Sequence, residues 1–400
     1  MTEHAAGTTH APLMPTYNPP AVTFVRGEGP YLWDAEGKRH LDFLSGLAVT
    51  SLGHAHPAVA AAVSAQANRL LHVSNLYGTE HNGPVASHLD RLIGDGEPAG
   101  GQVFFCNSGA EANEAAIKLA RRHGGPGRHV VVCAYQSFHG RTLATLAATG
   151  QPQKWDVFQP LPEGFRHVVW NDIDELEAAV DDTVAAVFLE PVQGEGGVNP
   201  ATVEYFTAVE RLCRDRGILF MGDEVQTGIA RTGRWFGFQH FGVSADVVAM
   251  AKALGNGMPI GACWAKADVA AAFTPGDHAT TYGGQPLATS AARAVLETME
   301  AIDAPALAAR AGDRLRQAML AVDGVVDVRG LGLLLAVELD GFDARAVAAD
   351  CLAEGLVVNG VTPTAVRLAP PLIIEDGHIA EAVSLLTNVL DRHRAAAGEG

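Results

Sequence analysis

Val103-Phe104-Phe105-Cys106-Asn107-Ser108-Gly109-Ala110-Glu111-Ala112-Asn113-Glu114-Ala115-Ala116-Ile117-Lys118-Leu119-Ala120 runs from an apolar stretch, through a turn of small residues, into a helical pattern. A short continuous apolar run bounded by turn residues is what a strand buried on both faces requires. Beyond the turn, Ala112, Ala115, Ala116, Leu119 and Ala120 recur at i, i+3, i+4, i+7 and i+8 and form one apolar stripe. Glu114 and Lys118 are spaced to pair on the opposite face. The same alternation extends outward from this unit. Apolar runs at 103–106, 129–134, 185–189, 218–221 and 247–250 are separated by helical patterns. That texture predicts an α/β fold with a mostly parallel sheet.

On either side the pattern changes. Residues 31–43 read as a hairpin, because Asp34-Ala35-Glu36-Gly37 separates two short apolar runs. After about residue 304, strands at 325–339, 356–359 and 366–368 and helices at 344–354 and 377–394 suggest a smaller α+β domain that recruits the N-terminal hairpin. A chain of 400 residues exceeds one comfortable core. The expected division is an N-terminal segment 1–55 belonging to the small domain, a large domain 56–305 and a C-terminal small domain 306–400. The first twenty residues, rich in Pro, Thr and Ala, are expected to lie extended on the surface.

Composition excludes several classes. The formal net charge is −17 and no basic run offsets it, which argues against nucleic acid or an anionic membrane as partner. Acidic substrates would need dedicated arginines. No stretch has the make-up of a signal peptide or membrane span, so a cytoplasmic protein is expected. The five cysteines are scattered without a C-x-x-C pair and read as reduced core thiols. His54 and His56 form an H-x-H, but no third ligand lies at a sensible spacing, so no metal is expected.

Three features carry chemistry. Ser108, Gly109 and Ala110 open a helix after a buried strand, where free N–H groups suit an anion such as a phosphate. Asp223 closes the run 218–221, and ligands in open α/β sheets bind beyond the carboxyl ends of strands. Lys252 follows 29 residues later, at the end of the next run and before a Gly-rich turn. Burial there would lower the amine's pKa and make it a nucleophile toward an aldehyde. Each feature has an ordinary reading alone: a helix cap, a strand-end Asp, a surface lysine. Together they describe a phosphate cup, a carboxylate for a ring nitrogen and a lysine for a Schiff base. Gln226 is placed to bond a phenolic oxygen, and Phe138 to stack on the ring. The absence of G-x-G-x-x-G and of G-x-x-x-x-G-K-[ST] weighs against a plain nucleotide-binding protein.

With these residues in hand, the chain resembles the class III (ω-amino) aminotransferases. The motifs are Gly53-His-Ala-His-Pro, Ser74-Asn-Leu-Tyr, Asn107-Ser-Gly-Ala-Glu-Ala-Asn, Phe138-His-Gly-Arg-Thr, Glu190-Pro-Val-Gln-Gly-Glu-Gly-Gly, Asp223-Glu-Val-Gln-Thr-Gly and Thr280-Thr-Tyr-Gly-Gly. The resemblance implies the aspartate-aminotransferase type of PLP-dependent transferase fold (fold type I), pyridoxal 5′-phosphate (PLP) as cofactor, and small amino-acid substrates. It implies a homodimer with shared active sites. The expected reaction is transfer of the δ-amino group of N2-acetyl-L-ornithine to 2-oxoglutarate. Ornithine, succinylornithine, N-succinyl-diaminopimelate or 4-aminobutyrate as donors, or an aminomutase, are the alternatives. By resemblance Ser108, Gly109, Ala110, Phe138, Asp223, Glu224, Val225, Gln226 and Lys252 hold the cofactor. Thr281 would reach the phosphate of a neighbouring subunit. Arg141 and Thr280 would bind substrate, with Lys252 and Asp223 catalytic. Arg367 matches the family's α-carboxylate-binding arginine and Glu195 its gating glutamate. Leu47 stands where ornithine-specific relatives carry Tyr, and is expected to face the acyl end. Ala230 replaces a customary Gly and bears on local turn geometry.

Overall fold

A computed structural model describes residues 13–398. Its centre is a seven-stranded sheet. In chain order the strands are β4 (Gly101–Cys106), β5 (Val130–Ala134), β6 (Phe165–Val168), β7 (Val184–Leu189), β8 (Leu219–Asp223), β9 (Val247–Met250) and β10 (Gly261–Lys266). Across the sheet they run β4-β10-β9-β8-β7-β5-β6. β6, β5, β7, β8 and β9 pair in parallel, whereas β10 runs antiparallel to both β9 and β4. Every residue of β5, β7, β8 and β9 is buried, as the continuous apolar runs require when helices cover both faces. Each Val, Leu or Phe so buried stabilises by roughly 1.5–3 kcal/mol before chain entropy is subtracted.

The helix after β4, α1 (Gly109–Gly124), starts at Ser108, whose Oγ accepts from Glu111 N at 3.2 Å. It ends with Arg121, Arg122 and His123 against the helix dipole. Ala112, Ala115, Ala116, Leu119 and Ala120 are all buried against the sheet. The expected Glu114–Lys118 ion pair does not form. Glu114 accepts from Thr142 Oγ1 at 2.5 Å, and Lys118 donates to Asp277 O at 2.9 Å. Tertiary partners displace a pair worth only a few tenths of a kcal/mol in a helix.

The hairpin is β2 (Tyr31–Asp34) with β3 (Arg39–Asp42), extended by β1 (Phe24–Glu28). Near the other end of the chain lie β11 (Val325–Leu331), β12 (Leu334–Leu339), β13 (Leu356–Val357), β14 (Asn359–Gly360) and β15 (Ala365–Leu368). β13 pairs in parallel with β3, so the N-terminal hairpin and the C-terminal segment share a sheet. The other C-terminal strands form a sheet in the order β11-β12-β15-β14, covered by α2 (Ala344–Glu354). The boundary expected near 305 falls just inside the helix Ala304–Leu320. Of the N-terminal stretch expected to be extended, residues 1–12 lie outside the described residues, and 13–20 are exposed without regular structure. Among the described residues no helix is long and apolar enough to cross a membrane.

Arg231 ties the units together from full burial. It donates to Leu333 O at 3.0 Å, to Pro370 O and to Ser51 Oγ at 2.9 Å. Burial lowers its pKa to about 9. Ala230 just before it has φ +69°, a left-handed conformation that costs a residue with a Cβ roughly 1–2 kcal/mol.

Candidate active site

The carboxyl ends of β4, β7, β8 and β9 open onto a cavity of about 380 Å³. Asn107, Ser108, Gly109 and Ala110 form one wall. Glu111 locks this turn by accepting from both Asn107 N and Asn107 Nδ2 at 2.8 Å. A Cβ on Gly109 would lie 2.6 Å from Val225 Cγ1, so the close packing there admits only glycine. From beneath, the Ser108 carbonyl rests on Gly261, the first residue of β10, where any side chain would collide with it. The antiparallel strand therefore supports the turn at the start of α1.

Asp223 ends β8 and is 3% exposed. Its Oδ2 faces Asn113 Nδ2 at 2.8 Å and His139 Nδ1 at 2.7 Å, and its Oδ1 accepts from its neighbour Val225 N at 3.0 Å. Asn113 also donates to His139 O at 2.7 Å, and the His139 ring stacks on Phe188 at 4.4 Å. Three elements thus fix one carboxylate in one orientation. Glu190 follows β7 and accepts from Phe138 N at 3.1 Å. Burial, and then the charge on Asp223, push its carboxyl well above the usual range.

Lys252 begins the turn after β9 with φ +46°, an unusual conformation for a lysine. That backbone turns the side chain into the cavity, which it lines with Ala251. Burial lowers its amine below the ordinary lysine range, while Glu195 opposes the shift and Arg367 adds to it.

On the far side Arg367, in β15, is 1% exposed. It donates to Glu195 Oε1 at 2.6 Å, to Asn359 Oδ1 at 3.1 Å and weakly to Gln226 Oε1 at 3.5 Å. Its Nη2 and Gln226 Nε2 are buried without a partner among the described residues. Burial raises the Glu195 carboxyl, but the charge and hydrogen bond of Arg367, with the charges of Lys252 and Lys154 added, make the net shift downward. Glu195 lies in the run Gln193-Gly194-Glu195-Gly196-Gly197, whose glycines bring the backbone against Gln226 and Gln136.

The predicted site residues divide into two groups. Ser108, Gly109, Ala110, Phe138, Arg141, Glu195, Asp223, Val225, Gln226 and Lys252 line the cavity, and Arg367 adjoins it through Glu195. Ser108 also proves to be a helix cap. Glu224 is a correction. Its carboxylate turns away and accepts from Gly237 N and Phe238 N at 2.8 Å and from Thr227 Oγ1 at 2.5 Å. Glu224 stands one residue past the end of β8, and these three donors hold its carboxylate away from the cavity. Thr280 and Thr281 line a neighbouring groove with Asn107 and Glu111, outside this chain's Lys252 cavity. Leu47 is also corrected: it is 39% exposed, and Val49 lines the cavity instead. Ser45, Leu47 and Ala48 all have positive φ, so the backbone there follows neither helix nor strand spacing. His54 bonds Asp42 Oδ2 at 2.7 Å. His139 and Glu190 gained no chemical role from sequence. Glu190 was accessible by the same strand-end rule that found Asp223.

The arrangement fits PLP on its own evidence. A helix start with no room for a Cβ suits a phosphate, the unpartnered Gln226 Nε2 suits a phenolate oxygen, and the fully oriented Asp223 suits a protonated ring nitrogen.

Comparison with known proteins agrees. A family model described as aminotransferase class-III matches residues 14–390. The acetylornithine aminotransferase of Gloeobacter violaceus is 47% identical over 392 residues, which are 95% of this chain and 96% of the relative. Among solved structures, the N-acetylornithine aminotransferase of Stenotrophomonas maltophilia superposes with a TM-score of 0.82 at 34% identity, covering 94% of this chain and 98% of that one. The ornithine aminotransferase of Toxoplasma gondii, described with PLP partially occupying its active site, superposes at 0.88 with 32% identity, covering 94% and 91%.

Proposed function

The chain belongs to the class III aminotransferase family, and on that premise we propose that it transfers the δ-amino group of N2-acetyl-L-ornithine to 2-oxoglutarate, yielding N-acetyl-L-glutamate 5-semialdehyde and L-glutamate. The observation that carries this reading is the Glu195–Arg367 pair at 2.6 Å beside Lys252. An ω-amine brings no carboxylate to the reacting carbon, whereas glutamate brings one. A bare guanidinium would oppose the first substrate, so Glu195 neutralises it. The α-carboxylate of the second displaces Glu195 and uses the spare Nη2 of Arg367 as well.

PLP supplies the electron sink that makes the amine-bearing carbon acidic. Asn113 and His139 hold Asp223, which would keep a proton on the ring nitrogen. Gln226 would donate to the phenolic oxygen, Phe138 would cover the ring, and the N–H groups at Gly109 and Ala110 would receive the phosphate. Lys252 Nζ, whose burial favours the uncharged amine, takes the proton from the substrate carbon. Arg141 at the mouth receives the carboxylate remote from that carbon. Val49, Met258 and Ile260 offer apolar surface that suits an acyl group better than an unmasked ammonium.

The same reading makes the active unit a homodimer. Thr281 is exposed, Asn75 Nδ2 ties the loop at Gly283 O at 3.0 Å, and Leu76, Tyr77 and Tyr282 expose apolar surface around it. In a dimer this loop completes a second copy's phosphate site.

A kcat/KM panel of N2-acetylornithine, ornithine, succinylornithine, N-succinyl-diaminopimelate and 4-aminobutyrate, with 2-oxoglutarate as acceptor, tests the assignment. N2-acetylornithine should exceed ornithine by at least about tenfold. Equal values would overturn the acyl preference, and turnover without 2-oxoglutarate would point to a mutase.

A further inference from the structure

The chain has five lysines, and the use of each bears on the site. Lys38 donates to Ala353 O, Lys118 to Asp277 O and Lys266 to Asp246 Oδ1. Lys154 and Lys252 have no hydrogen-bond or ion-pair partner among the described residues. Lys252 is the lysine of the cavity, and Lys154 lies beside its mouth. The Lys154 ammonium is 5.1 Å from the centroid of the Phe138 ring. The Arg141 guanidinium is 5.5 Å from the same centroid. Phe138 and Arg141 both line the cavity.

Two cations gathered at one ring, each without a carboxylate, is an arrangement that like charges oppose. Cation–π attraction of about 0.5–1 kcal/mol each holds the two cations at the ring against their mutual repulsion and leaves their N–H groups free to donate. Lys154 is half-buried at the end of the short helix Pro152–Lys154, so water does not fully screen it. Burial first, and then the Arg141 charge, lower its amine below the ordinary lysine range, while the charge on Glu195 opposes the shift. In a protein of net charge −17, two cations at a cavity mouth, neither in contact with a carboxylate because the nearby Glu195 is engaged by Arg367, form a site that suits an anion.

We propose that Lys154 is a second carboxylate-binding cation of this site, closing with Arg141 on the carboxylate that each substrate carries at the end remote from the reacting carbon. This rests on the aminotransferase reading above and adds a residue to it. Arg141 provides the planar fork and Lys154 a mobile point charge on a flexible stem. Substrates of different length can then place that carboxylate at different depths and still meet both cations. N2-acetylornithine and glutamate differ in this way.

The test uses the PLP-loaded enzyme and the variants Lys154→Met, which keeps the apolar stem, and Lys154→Arg, which keeps the charge. Single-turnover amine half-reactions with 5-aminopentanoate and with pentylamine differ only by the distal carboxylate. The ratio of their kcat/KM values should fall about tenfold in Lys154→Met and return in Lys154→Arg. Calorimetric binding of glutarate, a dicarboxylate that cannot react, should weaken by a similar factor, with kcat for saturating N2-acetylornithine changed less than about threefold. An unchanged ratio with unchanged glutarate affinity overturns the proposal. A loss confined to the glutamate half-reaction also overturns it, since Lys154 would then be receiving the displaced Glu195. Equal losses for both amines with a lower Tm would make Lys154 a prop for Phe138 and overturn it too. If even the unaltered enzyme turns over neither amine, the aminotransferase reading fails, and that result is separable from the others.

Discussion

The two sides of the cavity are built to opposite standards. Around Asp223, both carboxylate oxygens are engaged by donors from three separate segments, and no rearrangement is available without breaking buried bonds. Around Arg367, one guanidinium nitrogen and the neighbouring Gln226 amide remain without partners, and the opposing Glu195 sits among glycines. An unsatisfied buried polar atom costs about 1–3 kcal/mol. On the first side the unmatched atoms are Asn113 Oδ1 and His139 Nε2, the far ends of the groups that hold Asp223, whereas on the second they are the donors Arg367 Nη2 and Gln226 Nε2. The side that meets an unvarying ring is fixed. The side that must meet two unlike substrates in turn keeps Arg367 Nη2 in reserve, while the free Gln226 amide answers to the ring's oxygen.

The contrast can be tested by removing groups from each side in turn. Lys252→Ala should still take up PLP but lose at least about 10⁴-fold in turnover, read by coupled glutamate formation. Turnover near that of the unaltered enzyme would remove Lys252 from the chemistry. Asp223→Asn preserves shape and most hydrogen bonds, and so isolates charge. A drop in kcat of at least about a hundredfold is expected, and a few-fold change would reduce Asp223 to a structural cap. On the adaptable side, Glu195→Ala should separate the half-reactions. The glutamate half should quicken or bind more tightly, and the acetylornithine half should slow by about tenfold. Equal losses in both, with a lower Tm, would make the pair a permanent clamp between domains. The smallest effect belongs to Ala230→Gly, which relieves a left-handed alanine but loosens the unfolded chain. A net gain of about 0.5 kcal/mol should raise Tm by roughly 1–2 °C with activity unchanged.

How far the sequence could be read follows the same division. The parallel strands were legible because burial on both faces leaves uninterrupted apolar runs, and Val247–Met250 begins and ends where its run does. The antiparallel strand Gly261–Lys266 was missed, because its small residues answer to the Ser108 carbonyl above Gly261 and not to any period. The edge strand Phe165–Val168 is only partly buried and offers a weak pattern. Asp223 and Lys252 were found from their positions at strand ends. The role of His139 was not, since a loop residue reaching a carboxylate 84 positions away leaves no local signal. Glu224 and Leu47 were misplaced because both rest on resemblance, which matches positions along the chain and not the direction of a side chain. Glu224 is held by Gly237 N, Phe238 N and Thr227 Oγ1 just past its strand, and Val49 lines the cavity where Leu47 was expected.

Arg231 has a consequence in the order of synthesis. Its acceptors are Ser51, 180 positions earlier, and Leu333 and Pro370, 102 and 139 positions later. When the segment that follows Asp223 leaves the ribosome, only the first of the three exists. At roughly 5–20 residues per second, the last appears on the order of ten seconds afterwards. Until then the guanidinium cannot be buried without leaving Nη1 unmet as well as Nε, and its burial stays unfavourable. The turn that follows Gln226 is therefore closed late, after Leu333 and Pro370 have been made, although Asn113, His139 and Val225 are already present to hold Asp223.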